Sequence, residues 1–465
     1  MVMDFKLSKY VEFVPTHGTA KSQLIYSLRT AKSCWLPIGI AKAIKDNAFD
    51  LLSEKDLDFL KEIEVLVPAS ENELKAVLYA NNEAVSSSRV LSLSVQPTAQ
   101  CQLGCDYCGQ KHDKKKMTSL VRNGLLERVR MRLCAKSYQV LHITWFGAEP
   151  LLGMSEIRYL TPKLIELSTE FGCRYSSSIV TNGLSLKLRV FNELVGLGVT
   201  KFEVTLDGVA ASHDLRRPTK SGEKTFDIIF RNILNAVNSP RYGSEKINMS
   251  IRCNVDKDNY SEVDALIDLL AENDLQNKVQ LYFAPIHSWG NDAHLNALET
   301  AKFAEQEVKW IAKLYAKGFY RSCLVPRKRK EIVCMAVSKD GEVVDAYGNV
   351  FNCTEFPYVP TYDANEVMLG NVQFNPLDTF SDKRLFSDWN EDVENGYFPC
   401  ATCKLLPICG GACPKSWYEG NPACPSLKEN LSQRLKIDAL ALSKINAEAE
   451  REDEASQRQK ASLQF

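Results

Sequence analysis

From Ser88 to Pro285, short apolar runs alternate with longer stretches in which apolar residues recur at three and four positions. The short runs are VLSLSV (Val90 to Val95), VLHITWF (Val140 to Phe146), SSIVTNG (Ser177 to Gly183), KFEVTLDG (Lys201 to Gly208), NMSIRCNV (Asn248 to Val255) and VQLYFAPI (Val279 to Ile286). Their length predicts strands, and segments such as SLVRNGLLERVRMRL, EIRYLTPKLIELSTEF and TFDIIFRNILNAV carry the helical period between them. Six β/α units in a row predict an α/β fold built on a parallel sheet with outer helices, a partial (β/α)6 TIM-like barrel. Ligands then belong at the C-terminal ends of the strands.

The flanks read differently. FVPTHGTAKSQLIYSL and SCWLPI are predicted as strands, GIAKAIKDNAFDLL and SEKDLDFLKEIEVL as helices, with Ser53 as N-cap of the second. This predicts a small α+β, winged-helix-like module over residues 1–85, ahead of the barrel at 88–318. After Tyr320 the periodicity thins, while Gly, Pro and Cys accumulate up to Pro425. A segment of that kind, 320–425, is expected to be held by bound metal rather than by an apolar core. From Lys428 to Arg458, Leu, Ala, Glu and Lys predict a helix within a tail at 426–465.

Composition narrows the function. At 465 residues the chain allows roughly three domains. Its 57 Lys and Arg against 58 Asp and Glu leave a net charge of −1, which supplies no global field for nucleic acid, so no nucleic-acid partner is expected. No apolar run is long enough to span a bilayer, and the N-terminus MVMDFKLSKYVEFVP lacks the apolar stretch of a signal peptide. The expectation is a cytoplasmic protein with no membrane partner. Fifteen cysteines are then anomalous, because a reducing compartment disfavours disulfides, and metal is the expected use.

Cys101, Cys105 and Cys108 stand as C-x3-C-x2-C directly after the first barrel strand. Three thiolates at a barrel mouth can hold three irons of a [4Fe-4S] cluster and leave the fourth open to a non-protein ligand. Zinc with a distant fourth ligand, or three unrelated core thiols, are the structural alternatives. A second group runs Cys334, Cys353, Cys400, Cys403, Cys409, Cys413 and Cys424, with C-x2-C-x5-C-x3-C at its centre. A zinc ribbon competes for that spacing; a cluster motif upstream tips the reading towards iron and sulfur.

The C-x3-C-x-aromatic-C stretch, with Tyr107 in the aromatic place, resembles the signature of the radical S-adenosylmethionine (SAM) superfamily. The stretch after the second strand, FGAEPLL, resembles that family's GGEP motif, which receives the methionyl amino group of SAM. Gly147, Ala148, Glu149 and Pro150 match it, with Ala148 in place of a glycine. VTLDGVAASHDLRR is similar to the S-x-D-G…H-D-x-x-R stretch of peptide-modifying members, placing Thr205 at the hydroxyl position and Arg217 where the SAM carboxylate is met. Singly, each has a plain alternative: Glu149 as a helix cap, Thr205 as a strand residue, Arg217 as a surface cation.

The second group, with four residues between Gly348 and Cys353, resembles the SPASM domain, which carries two auxiliary [4Fe-4S] clusters. The resemblance implies Cys400, Cys403, Cys409 and Cys424 on one cluster. It implies Cys334, Cys353 and Cys413 on the other, with Cys323 or a substrate donor as fourth ligand. The N-terminal layout resembles the PqqD-like recognition domain of peptide maturases, and a domain that merely covers the barrel base is the alternative. Together these imply SAM as cofactor and a ribosomal precursor peptide as substrate, cross-linked by a thioether, carbon-carbon or ether bond. A flavodoxin- or ferredoxin-type protein would be the electron donor. KHDKKK (Lys111 to Lys116) and RKRK (Arg327 to Lys330) can attract an acidic leader or that donor, or simply be solvated.

Relatives that mature sulfatases use an aspartate directly after the second SPASM cysteine as base; here Thr354 holds that place and Glu355 is adjacent. Formylglycine formation in a sulfatase is therefore the alternative reaction, with Glu355 a candidate base. A zinc-stabilised scaffold without catalysis is the alternative from another class. A hydrolase is disfavoured, since neither H-E-x-x-H nor G-x-S-x-G occurs. Cys34, Cys134, Cys173 and Cys253 fall outside both groups and are expected to be buried thiols.

Overall fold

The computed structural model describes residues 5–15, 21–320, 325–374 and 384–441. The N-terminal module opens with β1 (Phe5–Leu7), β2 (Val11–Phe13), β3 (Ser22–Ser27) and β4 (Lys32–Pro37), followed by α1 (Ile38–Lys45), α2 (Glu54–Glu62), β5 (Leu66–Pro68) and α3 (Glu73–Ser86). β2, β3 and β4 form an antiparallel sheet, and β1 pairs with β5. The stretch FVPTHGTAKSQLIYSL is thus not one strand. Val11 faces Ser27 and Phe13 faces Ile25, so the chain reverses between β2 and β3, beginning near Pro15, which has no N–H for a ladder. Ser53 caps α2 in a capping box with Asp56, as the sequence predicts.

One face of this sheet, with Ile25 and Leu36, packs on α1 and α2. The other, with Leu24 and Tyr26, shares a core with Trp389, Cys400, Leu405 and Leu406. The module therefore packs on the cysteine-rich region, and the shared core also takes in Ile311 and Tyr315 of the helical segment after the sixth barrel strand. The RKRK run is part of this junction: Arg327 pairs with Asp438 at 2.6 Å, and Arg329 donates to Val77 O and Asn81 Oδ1 on α3. Arg329 is half-buried in the junction, while Arg327, Lys328 and Lys330 stay exposed, as a solvated surface would be.

The barrel runs β6 (Val90–Val95), α4 (Ser119–Ala135), β7 (Val140–Trp145), α5 (Met154–Glu170), β8 (Arg174–Thr181), α6 (Leu188–Gly196), β9 (Val199–Thr205), α7 (Ala210–Arg216), α8 (Phe226–Val237), β10 (Asn248–Val255) and β11 (Val279–Pro285). All six strands are parallel and neighbours in sequence order. Alternation sorts their side chains. Leu91, Leu93, Ile143, Trp145, Phe202, Val204 and Ile251 bury under the helices, while Ser92, His142, Thr144, Ser176, Ser178, Glu203 and Arg252 line the inner face.

The cysteine-rich region does not stand apart as a separate layer. Its β12 (Gly341–Val344) pairs in parallel with β6, and β13 (Asn349–Phe351) and β14 (Gly370–Asn371) continue the sheet to nine strands. Glu342 on β12 is fully buried against Arg128 of α4 at 2.7 Å, with Arg132 at 3.4 Å. A helix over 427–441 fits the expected C-terminal helix; the rest of that expectation lies outside the described residues. Among the described residues no helix is long and apolar enough to cross a membrane. Cys173 and Cys253 are buried, as expected, but Cys34 is half-buried on edge strand β4 and Cys134, in the last turn of α4, is exposed.

Candidate functional site

The segments that follow the barrel strands meet around a cavity with about 1060 Å³ of space free of protein atoms, partly open to solvent. Cys101, Cys105 and Cys108 line one side, on a loop fixed from outside by backbone bonds. Gly104 N donates to Pro218 O, Asp106 N to Arg216 O and Lys220 N to Gln102 O, at 2.9, 3.2 and 2.9 Å. The segment after α7 thereby holds the cysteine loop across the barrel mouth.

Burial first, then Glu149, pushes the Cys101 thiol up to about 12; burial pushes Cys105 up to about 11 and raises Cys108. Such thiols stay protonated at neutral pH unless a cation takes the proton's place, which is what a metal does. Among the described residues no three His, Cys, Asp or Glu side chains converge closely enough for a single metal ion. Tetrahedral zinc needs its sulfurs within roughly 3.8 Å of one another, given Zn–S bonds of about 2.3 Å. A cubane puts each thiolate on a different iron and spreads them wider. The donor set fits a cluster better than zinc.

Opposite the thiols lies a polar hub. Tyr107 donates its hydroxyl to Asp207 Oδ2 at 2.6 Å, and accepts from Asn254 Nδ2 at 3.0 Å and from Arg217. Asp207 is fully buried, and Arg217 lies 3.8 Å from it. Arg217 lines the cavity while its buried Nε has no hydrogen-bond partner, the state of a guanidinium prepared for an anionic ligand. Arg216 instead faces away, paired with buried Asp256 and set over the Tyr107 ring.

Gly147 and Ala148 form the cavity wall after β7, both with positive φ, +93° and +48°. Ala148 holds the left-handed turn because Gln110 Oε1 accepts its N–H at 3.0 Å. No hydrogen bond among the described residues uses the carbonyl of Gly147 or Ala148, which leaves both for a ligand. Glu149 is placed differently. Its fully buried carboxylate accepts from Thr181 Oγ1, Asn182 N and Leu151 N at 2.7, 2.8 and 3.0 Å, behind the wall. It caps the turn after it and holds the end of β8. Thr205 lines the cavity at the end of β9.

The cysteine-rich region closes the mouth. Glu355 lines the cavity, its Oε2 3.3 Å from His287 Nε2, and its backbone carbonyl accepts from Trp289 Nε1 at 3.1 Å. Cys334, Cys353 and Cys413 gather beside it: burial raises all three thiols, Cys334 and Cys413 also raise Cys353, and Glu355 raises Cys353 and Cys413. Cys323 lies outside the described residues. A second cavity, of about 380 Å³, is lined by Cys400, Cys403, Cys409 and Cys424; burial pushes Cys400 up to about 12 and Cys409 up to about 11. The described cysteines are free thiols.

Sequence reading missed several residues here. Asn182, whose Nδ2 lies 3.9 Å from Cys101 Sγ, and Asn254 are single polar residues at strand ends, with no spacing to mark them. Gly109 was missed too. A Cβ there would sit 1.6 Å from the Trp289 carbonyl oxygen, so Gly109→Ala must push the Trp289 segment off the cysteine loop. The expected cost is about 1–3 kcal/mol, read as a lower melting temperature and faster loss of iron to a chelator from reconstituted protein.

Residues 95–270 match the radical SAM superfamily. The chain is 22% identical over 329 residues to Fe-coproporphyrin III synthase of Methanosarcina barkeri (strain Fusaro / DSM 804), covering 62% of this chain and 78% of that protein. It is 28% identical over 145 residues to a serine-type anaerobic sulfatase-maturating enzyme of Klebsiella aerogenes, covering 29% of this chain and a third, 33%, of that protein. In fold it is similar to a solved structure described as native anSMEcpe with bound AdoMet and Cp18Cys peptide. That likeness has a TM-score of 0.55 and 19% identity, and covers 77% of this chain and 99% of that one. The strand order, the three-cysteine loop and these matches define a radical SAM domain over residues 95–270 of an enzyme, with a [4Fe-4S] cluster and SAM as the cofactors of that domain. A sulfatase-maturating enzyme is thus among the relatives that part of the chain matches, and the anSMEcpe likeness is one of fold.

Proposed function

We propose that this enzyme modifies a peptide, installing a thioether, carbon-carbon or ether cross-link in a ribosomal precursor. The observation that carries this reading is the position of Glu355, which lines the barrel cavity on one side and adjoins Cys334, Cys353 and Cys413 on the other. A substrate in the cavity would thus lie beside a second redox centre able to take up the electron that bond formation releases. When bound, the cluster and SAM supply a 5′-deoxyadenosyl radical that abstracts hydrogen from an unactivated C–H.

The chain's own residues do the rest. Cys101, Cys105 and Cys108 hold the cluster and leave one iron open. Arg217 meets the SAM carboxylate, Gly147 and Ala148 offer carbonyls to its amine, Thr205 offers a hydroxyl, and the Tyr107–Asp207 pair fixes Arg217 in place. Glu355, steadied by His287, takes the substrate proton at Oε2. Trp289 and the cysteine-rich region narrow the mouth against water.

Two auxiliary clusters complete the set, one on Cys400, Cys403, Cys409 and Cys424, the other on Cys334, Cys353 and Cys413 with Cys323 or a substrate group. Residues 320–425 act as a SPASM-type domain. The module at 1–85 is a PqqD-like recognition domain, with β4 an edge strand that, among the described residues, is bonded only to β3 and is open to a leader peptide by strand addition. The exposed Lys111, Lys114 and Lys116 beside the cysteine loop suit an acidic flavodoxin- or ferredoxin-type donor. The alternative product is formylglycine, favoured by the likeness to the anSMEcpe fold, which was solved with a peptide, and by the Klebsiella aerogenes relative.

Anaerobic reconstitution is expected to give about twelve irons per chain, three cubanes of four, and 5′-deoxyadenosine on reduction. Mass spectrometry of a precursor peptide should then show loss of two hydrogens without an aldehyde. A product that reacts with a hydrazine would establish formylglycine instead, and about four irons would remove the auxiliary clusters.

A further inference from the structure

A closed TIM barrel fills its interior with layers of branched apolar side chains. This barrel does not. Its inner face carries Ser92, His142, Thr144, Ser176 and Ser178, with His142 Nδ1 3.1 Å from Ser176 Oγ and Thr144 Oγ1 3.0 Å from Ser178 Oγ. None of these side chains is fully buried. The lumen is a polar space continuous with the cavity above, whose lining includes Val180, Glu203 and Arg252.

Glu203 of β9 and Arg252 of β10 both line that space, Arg252 level with Thr205 on one side and Tyr282 of β11 on the other, while Lys201 lies lower on β9, level with Asn248. Arg252 is aimed rather than loose: its Nε donates to Asn254 Oδ1 at 2.8 Å. Its Nη1 is 3.9 Å from Glu203 Oε1, beyond hydrogen-bond distance, and the side chain stays 35% exposed. A guanidinium with no carboxylate within hydrogen-bond distance among the described residues, its outer edge turned to a ligand cavity, suits a carboxylate better than an apolar or cationic group.

We propose that Arg252 is a subsite for a carboxylate of the substrate, an Asp or Glu side chain of the peptide segment that enters the barrel. Glu203, 3.9 Å from the guanidinium, balances its charge when the site is empty and opposes the incoming anion. The inference rests on the peptide reading above, and its failure is distinguishable from the failure of that reading.

The test uses the reconstituted full chain with SAM, two dansylated pentapeptides, Gly-Gly-Glu-Gly-Gly and its Gln counterpart, and free glutarate as competitor. Wild type is expected to bind the Glu peptide about tenfold more tightly. Arg252→Gln should remove that preference, Arg252→Lys should keep part of it, and Glu203→Gln should widen it. Equal affinity for the two peptides in wild type, or a preference that survives Arg252→Gln, overturns the proposal. So does a loss of SAM affinity in Arg252→Gln with the peptide preference intact, which would place Arg252 in the cofactor cradle. Glutarate binding as tightly as the Glu peptide would give the subsite to a small carboxylate and overturn the peptide assignment. A Glu preference in a protein that fails to cleave SAM would support the subsite and overturn the reading beneath it.

Discussion

Replacing Cys101, Cys105 and Cys108 together with alanine is expected to abolish 5′-deoxyadenosine formation and to lower the iron content by about four atoms per chain, one cubane. The loss should be selective. The loop is anchored by backbone bonds to Pro218, Arg216 and Lys220, none of which needs a thiol, and Leu103 is buried within it. The variant should therefore keep its fold by circular dichroism and keep the iron bound by the C-terminal cysteines. Iron and sulfide analysis beside a reductive SAM-cleavage assay checks this. SAM cleavage that persists in the triple variant would remove the loop from the chemistry.

The second large effect is on stability. Glu342 is fully buried, bonded to Arg128 at 2.7 Å, with Arg132 at 3.4 Å and Arg384 at 3.9 Å. Glu342→Ala removes the carboxylate that Arg128, Arg132 and Arg384 share, while Arg132 keeps Asp340 at 3.1 Å, and breaking the buried Arg128 pair in this way costs about 3–5 kcal/mol. The site matters because β12 is the strand by which the cysteine-rich region joins β6. Chemical denaturation should show that loss, with closure of the cavity by Glu355 weakened in step. Arg128→Met with Glu342→Leu, which removes the central pair and leaves an apolar contact, should recover part of it.

The pH dependence has a definite sign. Burial pushes the Glu342 carboxyl up, but Arg128 and Arg132 outweigh it and hold the group below its ordinary value. A carboxylate depressed in the native state contributes its full stability above the unfolded value, about 4.3, and loses that contribution as pH falls through the native one. Wild type should thus lose stability more steeply than Glu342→Gln as pH drops below about 4.5. Parallel curves for the two proteins would contradict the assignment.

The sequence made the barrel legible because its six strands alternate under helices of clear period; Val90–Val95 and Asn248–Val255 begin and end where the pattern places them. Cys101, Cys105 and Cys108 were legible because metal chemistry needs a fixed spacing. The reversal between Phe13 and Ser22 was hidden in a run of strand-forming residues, and depends on pairing that no local pattern reports. Glu149 was read as a ligand group because a motif records identity but not direction; its carboxylate turns inward to Thr181 and Asn182. Glu355 came to the cavity through the packing of a whole region against the barrel mouth, with His287 contributed 68 positions away. Its place after Cys353 marks Glu355 in the sequence as a candidate base, but its His287 partner and the cavity it lines leave no trace in a window of sequence.

The account depends most on one iron in the barrel-mouth cluster lacking a protein ligand. Mössbauer and electron paramagnetic resonance spectra of anaerobically reconstituted protein carrying alanine at Cys400, Cys403 and Cys409 and at Cys334, Cys353 and Cys413 isolate that cluster. The expected result is a single [4Fe-4S] centre with one distinguishable iron whose signal shifts when SAM is added. Four equivalent irons indifferent to SAM, or zinc in their place, would contradict it.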